Sequence, residues 1–291
     1  MLRRPGANIG FMAIRLIKSG DQLASIERFL VPSILHFSTV TMAIILVTGA
    51  NRGIGFGIVQ AIAGRVSNST ILIGCRTHES GEEAVRKWRD IGIKEALNVL
   101  PFDIEDDASI IAAATIVEEK YGKLDVLINN AARVTVPESL NLHDVRSATN
   151  SVLANCVTSN LIVTQAFLPL LRKSEYPRVI MTSSARGSMI RTANGELPPA
   201  ASINYCMAKA ALNMLTLQFH LAEERRTSGD KVVFWATSPG HCKTAFNGFR
   251  GTKEPVDGAE VFVRLLESEK GVIASGTFWE FEDGEFRLVP W

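Results

Sequence analysis

The sequence has little cysteine and no excess of charge of either sign. Only four of its 291 residues are cysteines, and none of them form a C-x-x-C pair or a zinc-ligand spacing. Lys and Arg total 31 against 30 Asp and Glu, which leaves a net charge of +1. Such a balance provides no general field for a nucleic acid or an anionic membrane surface. We therefore expect a reduced, cytoplasmic protein with no metal, nucleic-acid or membrane partner.

The first 41 residues differ from the rest of the chain. They carry five basic and two acidic residues, and this Arg-rich character resembles a mitochondrial presequence. Residues 30–51 contain no charge, but Pro32 and His36 interrupt a membrane span, and a predicted strand covers its second half. The alternatives are a disordered extension, a stretch upstream of the true start, or a segment folded onto the domain. The folded domain is predicted to cover residues 42–291.

Short runs of Val, Ile and Leu alternate with helical patterns from residue 42 onward. Because 46% of the residues are hydrophobic, the chain can bury a core. The predicted strands are 43–48, 70–75, 96–101, 124–129, 177–183, 231–237 and 275–279. The predicted helices are 53–65, 79–91, 106–121, 143–172, 202–227 and 256–268. This alternation predicts an α/β fold: a single-domain Rossmann fold with a doubly wound parallel sheet of about seven strands and helices on both faces.

Ligands of such folds bind beyond the carboxyl ends of the strands, and suitable residues stand there. The first strand is followed by a turn with Gly49, Gly53 and Gly55, where the backbone can approach a pyrophosphate at a helix N-terminus. A tight turn without a ligand is the alternative. Asp103 follows the third strand and could accept from an adenine amino group or cap a helix.

The later strands end in further polar or small residues. Asn129-Asn130-Ala131-Ala132 follows the fourth strand, Ser183-Ser184 the fifth, and Pro239-Gly240 the sixth, with Thr244 shortly after. Tyr205 and Lys209 lie four residues apart in a predicted helix, so they share one face. Strand residues alternate, so only one of the two serines should face a site.

This ordered set of motifs resembles the short-chain dehydrogenase/reductase family over residues 42–291, and the C-terminal part resembles its carbonyl-reductase type. The resemblance implies that Tyr205 is the general acid/base, that Lys209 tunes it, that Ser184 holds the substrate oxygen and that Asn155 belongs to a proton relay. It also implies a set of cofactor contacts: Gly49, Asn51, Arg52, Gly53, Ile54, Gly55, Arg76, Asp103, Ile104, Asn129, Ala131, Tyr205, Lys209, Pro239, Gly240 and Thr244.

Elementary chemistry supports these roles. Free tyrosine has a pKa near about 10, and a nearby ammonium group would lower it toward a value useful for proton transfer. The serine hydroxyl can donate to a carbonyl oxygen as negative charge develops on it. The open alternatives are that Asn155 is a buried helical Asn with a backbone partner and that Tyr205 and Lys209 are surface residues.

The end of the second strand predicts which cofactor is used. NAD-specific folds place an acidic residue there, whereas this chain has Cys75 followed by Arg76. A guanidinium would bind the 2′-phosphate of NADP(H), and Arg52 is expected to project toward the same region. Arg76 could instead stack on adenine or remain solvated.

One departure from the family concerns the spacing of 21 residues between Ser184 and Tyr205, where about a dozen is usual. The extra segment, residues 187–199, contains Asn-Gly and Pro-Pro and is predicted to be a loop that forms a wall of the substrate pocket. It could hinder helix pairing, so monomer and homo-oligomer both stay open. The predicted function is NADPH-dependent reduction of a ketone or aldehyde, a small-molecule carbonyl substrate. The alternatives are a catalytically silent NADP(H)-binding sensor or scaffold and a non-redox enzyme on the same fold.

Overall fold

A computed structural model describes residues 42–200 and 202–291, and the expectations for residues 1–41 lie outside the described residues. The described chain forms one sheet in the order β3-β2-β1-β4-β5-β6-β7-β8. Its strands are β1 Ala43–Thr48, β2 Ser69–Cys75, β3 Ala96–Pro101, β4 Val126–Asn129, β5 Arg178–Thr182, β6 Val233–Ser238, β7 Thr277–Glu282 and β8 Glu285–Leu288. Neighbouring strands from β3 to β7 are parallel, and β8 is antiparallel to β7.

Helices connect the strands and cover both faces of the sheet. They are α1 Gly53–Arg65, α2 His78–Asp90, α3 Asp107–Tyr121, α4 Leu142–Leu153, α5 Ser159–Leu171, α6 Met189–Ala193, α7 Ile203–Glu224, α8 Pro255–Gly258 and α9 Glu260–Glu267. The predicted doubly wound Rossmann fold is therefore confirmed.

Side-chain alternation along the strands divides the core into two layers. In β1, Ile45 and Val47 pack with residues of α1, α2 and α9, whereas Ile44 and Leu46 pack with residues of α3, α5 and α7. Each strand residue thus reaches only one face. Because both faces are covered, the central strands read as continuous apolar runs, which is why the sequence located them well.

The sheet has eight strands rather than the predicted seven. The additional strand, β8, is half exposed and contains Glu285 and Arg287, so it lacks an apolar run. It forms a hairpin with β7 through Asp283 and Gly284, whose φ angles of 55° and 80° fit a type I′ turn. The Asp-Gly pair was the sequence signal that could have located this strand.

Two predicted segments have a different backbone. The helix predicted over 143–172 widens to a π turn at Ala154–Thr158, between α4 and α5. The whole stretch Leu142–Leu171 is long and apolar enough to cross a membrane, but half of its apolar window is buried within the domain. The segment 187–199 is not all loop, because α6 forms at its start, where Ser188 accepts a hydrogen bond from the backbone N–H of Arg191.

Candidate active site

The turn after β1 requires glycine at three positions. Gly49 and Gly53 have φ angles of 62° and 57°, in the left-handed region that favours glycine. A Cβ at Gly55 would lie 2.3 Å from the carbonyl oxygen of Gly49. The helix α1 begins at Gly53, so its unpaired N–H groups stand at this turn. A ligand phosphate could therefore approach the backbone at these three glycines.

Asn130 ties this turn to the end of β4. Its side-chain Nδ2 donates to the carbonyl oxygens of Thr48 at 2.8 Å and Gly49 at 3.2 Å. The hydroxyl oxygen of Thr48 in turn accepts from the backbone N–H groups of Asn130 and Ala131, both at 2.9 Å. The candidate list from the sequence missed Asn130, although the doubled Asn signalled it.

Asn129 occupies the other side of the same strand. Its Nδ2 donates to the hydroxyl of Thr164 at 2.9 Å, and the side chain is buried against α5. The alternation along β4 therefore sends the two asparagines to opposite faces. Of the pair, only Asn130 has its side chain at the glycine turn.

The two serines after β5 are separated by the same alternation. Ser183 is buried, and its hydroxyl donates to Oδ1 of Asn213 at 2.6 Å. Ser184 is half exposed, and its hydroxyl lies near Tyr205. The structure thus places Ser184, as predicted, beside Tyr205.

Lys209 lies beneath the ring of Tyr205 on α7. Its Nζ is 5.5 Å from the ring centroid and donates to the carbonyl oxygen of Thr182 at 2.6 Å. Its side chain is buried, and burial lowers the pKa of Lys209. The carbonyl at the end of β5 therefore fixes the ammonium group next to the phenol.

The direction of the pKa shift of Tyr205 differs from the sequence-based expectation. Burial raises the pKa of Tyr205, with a further contribution from the Cys156 thiol. The hydrogen bond with Ser184 and the positive charge of Arg186 oppose this shift but are smaller. The expectation that the pKa lies below its usual value is therefore wrong for the protein chain by itself.

Asn155 lies in the π turn and is buried. Its Oδ1 accepts from the backbone N–H of Arg133 at 2.8 Å, and the neighbouring Cys156 thiol donates to the carbonyl of Arg133 at 3.4 Å. Asn155 is therefore a buried Asn with a backbone partner, which the sequence had left open as the alternative to a proton relay. It holds the segment after β4 against the helix that faces the site.

The predicted adenosine-side residues lie after β1, β2 and β3. Arg52 and Arg76 are exposed, and neither forms an ion pair with another described residue. Asp103 is half-buried next to Ile104, and its Oδ1 accepts from the backbone N–H of Glu105 at 3.0 Å. The cap of α3 is a different residue, Asp106, so the helix-cap alternative for Asp103 is wrong.

The loop after β6 closes against the glycine turn. Gly240, which follows Pro239, has a φ of 82°, and the carboxylate of Glu282 lies where its Cβ would be. The Thr244 methyl group lies 3.6 Å from the position of a Cβ on Gly53. Pro239, Gly240 and Thr244 are thereby brought to the same edge of the sheet as the first glycines.

An ion triad around a buried carboxylate attaches the inserted segment to β7 and β8. Glu280 on β7 is 2% exposed and accepts from Arg191 of α6 at 2.8 and 2.7 Å and from Arg287 at 2.7 Å. Ser188 also donates to the carbonyl of Pro290 at 2.6 Å. These contacts make α6 part of the domain rather than a free loop.

We expect Glu280→Gln to lower the free energy of unfolding at neutral pH by about 2 kcal/mol, because two arginines lose a charged acceptor. Burial alone would raise the pKa of Glu280, but hydrogen bonds from Arg191 and Arg287 outweigh it, so the net pKa lies below the usual 4.5. A carboxyl group whose pKa is lower in the folded state stabilises the fold at pH values above its unfolded pKa. This stabilisation is lost as the pH falls through the lower, folded-state pKa.

Urea unfolding of wild type and Glu280→Gln, at neutral pH and in steps below pH 4.5, measures this difference. The two proteins should converge in stability as the pH falls. Glu285→Gln is the matched control, because Glu285 is exposed and lies 3.8 Å from the same Arg287. An equal loss at every pH would show that the charge of Glu280 contributes nothing.

Comparison with known proteins places this fold in a family. The sequence profile described as short chain dehydrogenase matches residues 43–255. A short-chain dehydrogenase/reductase of Aspergillus fumigatus is 37% identical over 259 residues, or 85% of this chain and 97% of the relative. The NADPH carbonyl reductase 1 of Mus musculus is 28% identical over 279 residues, or 84% of this chain and 97% of the relative.

The structure is also similar to solved structures. The NADPH-bound carbonyl reductase from chicken fatty liver superposes with a TM-score of 0.69 at 27% identity, covering 86% of this chain and 99% of that one. The profile match spans most of the domain and includes the glycine turn, the serine pair and the Tyr205–Lys209 pair. The chain therefore belongs to the short-chain dehydrogenases, a family of nicotinamide-dependent oxidoreductases.

Proposed function

We propose that this protein catalyses the NADPH-dependent reduction of a ketone or aldehyde to an alcohol. The observation that carries the proposal is the convergence of Ser184, Tyr205 and Lys209 at the end of β5, on the same edge of the parallel sheet as the glycine turn. The similarity to proteins named carbonyl reductases supports the same chemistry.

In this proposal Tyr205 is the proton donor. Reduction adds a hydride to the carbonyl carbon and a proton to its oxygen, and a bound nicotinamide supplies the hydride. Because burial raises the pKa of Tyr205, the phenol stays protonated at neutral pH, which is the form that an acid needs. Ser184 donates a hydrogen bond to the carbonyl oxygen and so stabilises the negative charge that develops on it. Lys209 provides a fixed positive charge beneath the ring.

The residues around the glycine turn fit a dinucleotide phosphate. Glycine at positions 49, 53 and 55 leaves the backbone of the turn open to a phosphate, and a Cβ at Gly55 would collide with the carbonyl oxygen of Gly49. We propose that the turn, including Asn51 and Ile54, holds the pyrophosphate and that Arg52 and Arg76 hold a 2′-phosphate. Asp103, Ile104, Ala131, Pro239, Gly240 and Thr244 would complete the contacts, with the backbone of Asn129 rather than its buried side chain.

NADPH consumption with a panel of aromatic ketones, quinones and diketones tests the proposal. Carbonyl-dependent loss of NADPH absorbance, with the alcohol identified by mass spectrometry, is the expected result. NADPH binding without turnover of any panel member would instead indicate a sensor or scaffold. Conversion of a substrate without net NADPH consumption would indicate a non-redox enzyme on this fold.

A further inference from the structure

Arg186 is fixed between the proposed catalytic serine and the inserted segment. It lies in the short turn Ala185–Gly187 directly after Ser184, and its backbone N–H donates to the Ser184 hydroxyl at 3.2 Å. Its guanidinium Nη1 donates to the carbonyl oxygen of Pro198, at the far end of the insertion. The backbone and the guanidinium of this half-buried residue are thus both held in place.

Arg186 is the one charged residue at an otherwise uncharged cavity of the described chain. A cleft of about 340 Å³ lies between the insertion and α7, and Met189, Ala193, Met207 and Ala210 contribute apolar walls. Cys206, which follows Tyr205 in the sequence, also lines the cleft, whereas Tyr205 and Ser184 do not.

Arg186 has no carboxylate partner within the described part of the chain, unlike the other arginines near it. Arg191 pairs with Glu280 and Glu196, whereas Arg186 has only a backbone carbonyl. A guanidinium carries five N–H donors, and the named side-chain contact uses one of its nitrogens. A half-buried cation in apolar surroundings is stabilised by an anion. Its positive charge also acts on Tyr205, where it opposes the rise in pKa that burial causes.

We propose that the substrate carries a carboxylate that Arg186 binds, while Ser184 and Tyr205 engage the carbonyl. This inference rests on the proposed reductase function and names its substrate class: keto acids and other carboxylate-bearing carbonyl compounds. A carboxylate would accept two parallel hydrogen bonds from the planar guanidinium, which lysine cannot provide.

Matched pairs of substrates test this assignment. Each pair is a keto acid and its methyl ester, such as 4-acetylbenzoate and methyl 4-acetylbenzoate, with alicyclic and straight-chain pairs alongside. In Arg186→Met, kcat/KM for the acids should fall by about 10- to 100-fold, the range for hydrogen bonds to a charged group, and KM should carry most of the change. The esters should change by less than about threefold, and Arg186→Lys should fall between wild type and Arg186→Met.

Arg225→Met is the control for loss of one positive charge. Arg225 is exposed at the C-terminal end of α7, a helix about 33 Å long at 1.5 Å per residue. This variant should keep the acid-to-ester ratio of wild type. NADPH affinity and thermal unfolding, measured for every variant, show whether the fold and the cofactor site are intact.

Two results would overturn the inference. An equal loss for acids and esters in Arg186→Met, with a shifted pH profile, would mean that Arg186 acts on Tyr205 or on the local fold. A wild type that reduces neutral ketones but none of the acids would exclude the carboxylate. A wild type that reduces no carbonyl compound at all would instead contradict the proposed function itself.

Discussion

Replacement of Tyr205 by phenylalanine should lower kcat/KM for carbonyl reduction by a factor of about 100 or more, the scale of general acid catalysis. The change removes one hydroxyl and leaves the ring, so the contact with Phe246, at 5.5 Å between ring centroids, is kept. It also keeps the position of Lys209 beneath the ring. The loss should therefore appear in the chemical step rather than in folding or cofactor binding.

Steady-state kinetics with the best carbonyl substrate, together with NADPH affinity and the melting temperature, measure this effect. Ser183→Ala is a useful companion to Ser184→Ala, because the first serine is buried against Asn213 and the second faces Tyr205. Only Ser184→Ala should reduce kcat without a matching loss of stability. Full activity of Tyr205→Phe, with an unchanged melting temperature, would refute the assignment of the proton donor.

The second large effect concerns the cofactor. The wild-type enzyme should use NADPH at least about tenfold better than NADH, because two guanidinium contacts to a phosphate contribute roughly 1.5–3 kcal/mol each. Arg52 and Arg76 are both exposed and form no ion pair with another described residue, so neither charge is neutralised before a phosphate arrives. Combining Cys75→Asp with Arg76→Ser should reverse the preference, since a carboxylate repels the phosphate and accepts from ribose hydroxyls.

Because Cys75 is buried, the single variants must be measured beside the double variant. Its thiol is buried, within 3.3 Å of the carbonyl oxygen of Thr77, and burial raises the pKa of Cys75. A carboxylate there costs desolvation free energy, so Arg76→Ser and Arg52→Ser should also be measured alone. Comparison of kcat/KM for NADPH and NADH at fixed substrate decides the matter. Better use of NADH by the wild type would contradict the prediction. An unchanged ratio of kcat/KM for the two cofactors in the double variant would show that positions 75 and 76 do not determine the preference.

The fold was largely predictable because its signals are local. Strand β1 and helix α1 have the predicted bounds, since an apolar run and a glycine turn are readable from neighbouring residues. Tyr205 and Lys209 share a helix face because four residues make about one turn. Strand β8 was not predicted, because an exposed edge strand needs no apolar run. It forms by pairing with β7.

The sites were predictable in identity but less so in arrangement. Alternation predicted that only one of the two serines faces the site, the family resemblance favoured Ser184, and the structure places Ser184 near Tyr205 and Ser183 against Asn213. The direction of the pKa shift of Tyr205 did not follow from the sequence. Burial outweighs the nearby charges, and burial depends on every element packed around the ring. Asn155 likewise shows a contact with the backbone of Arg133 that no motif indicates.

The sequence by itself determined the sheet, the glycine turn and the chemical groups at the strand ends, because periodicity, backbone conformation and i, i+4 spacing act over a few residues. Only the tertiary structure decided that α6 is attached to β7 through Arg191 and Glu280, and that Arg186 has no acidic partner among the described residues. These contacts join residues up to 89 positions apart. Their energies depend on burial and distance, which exist only after the chain has folded.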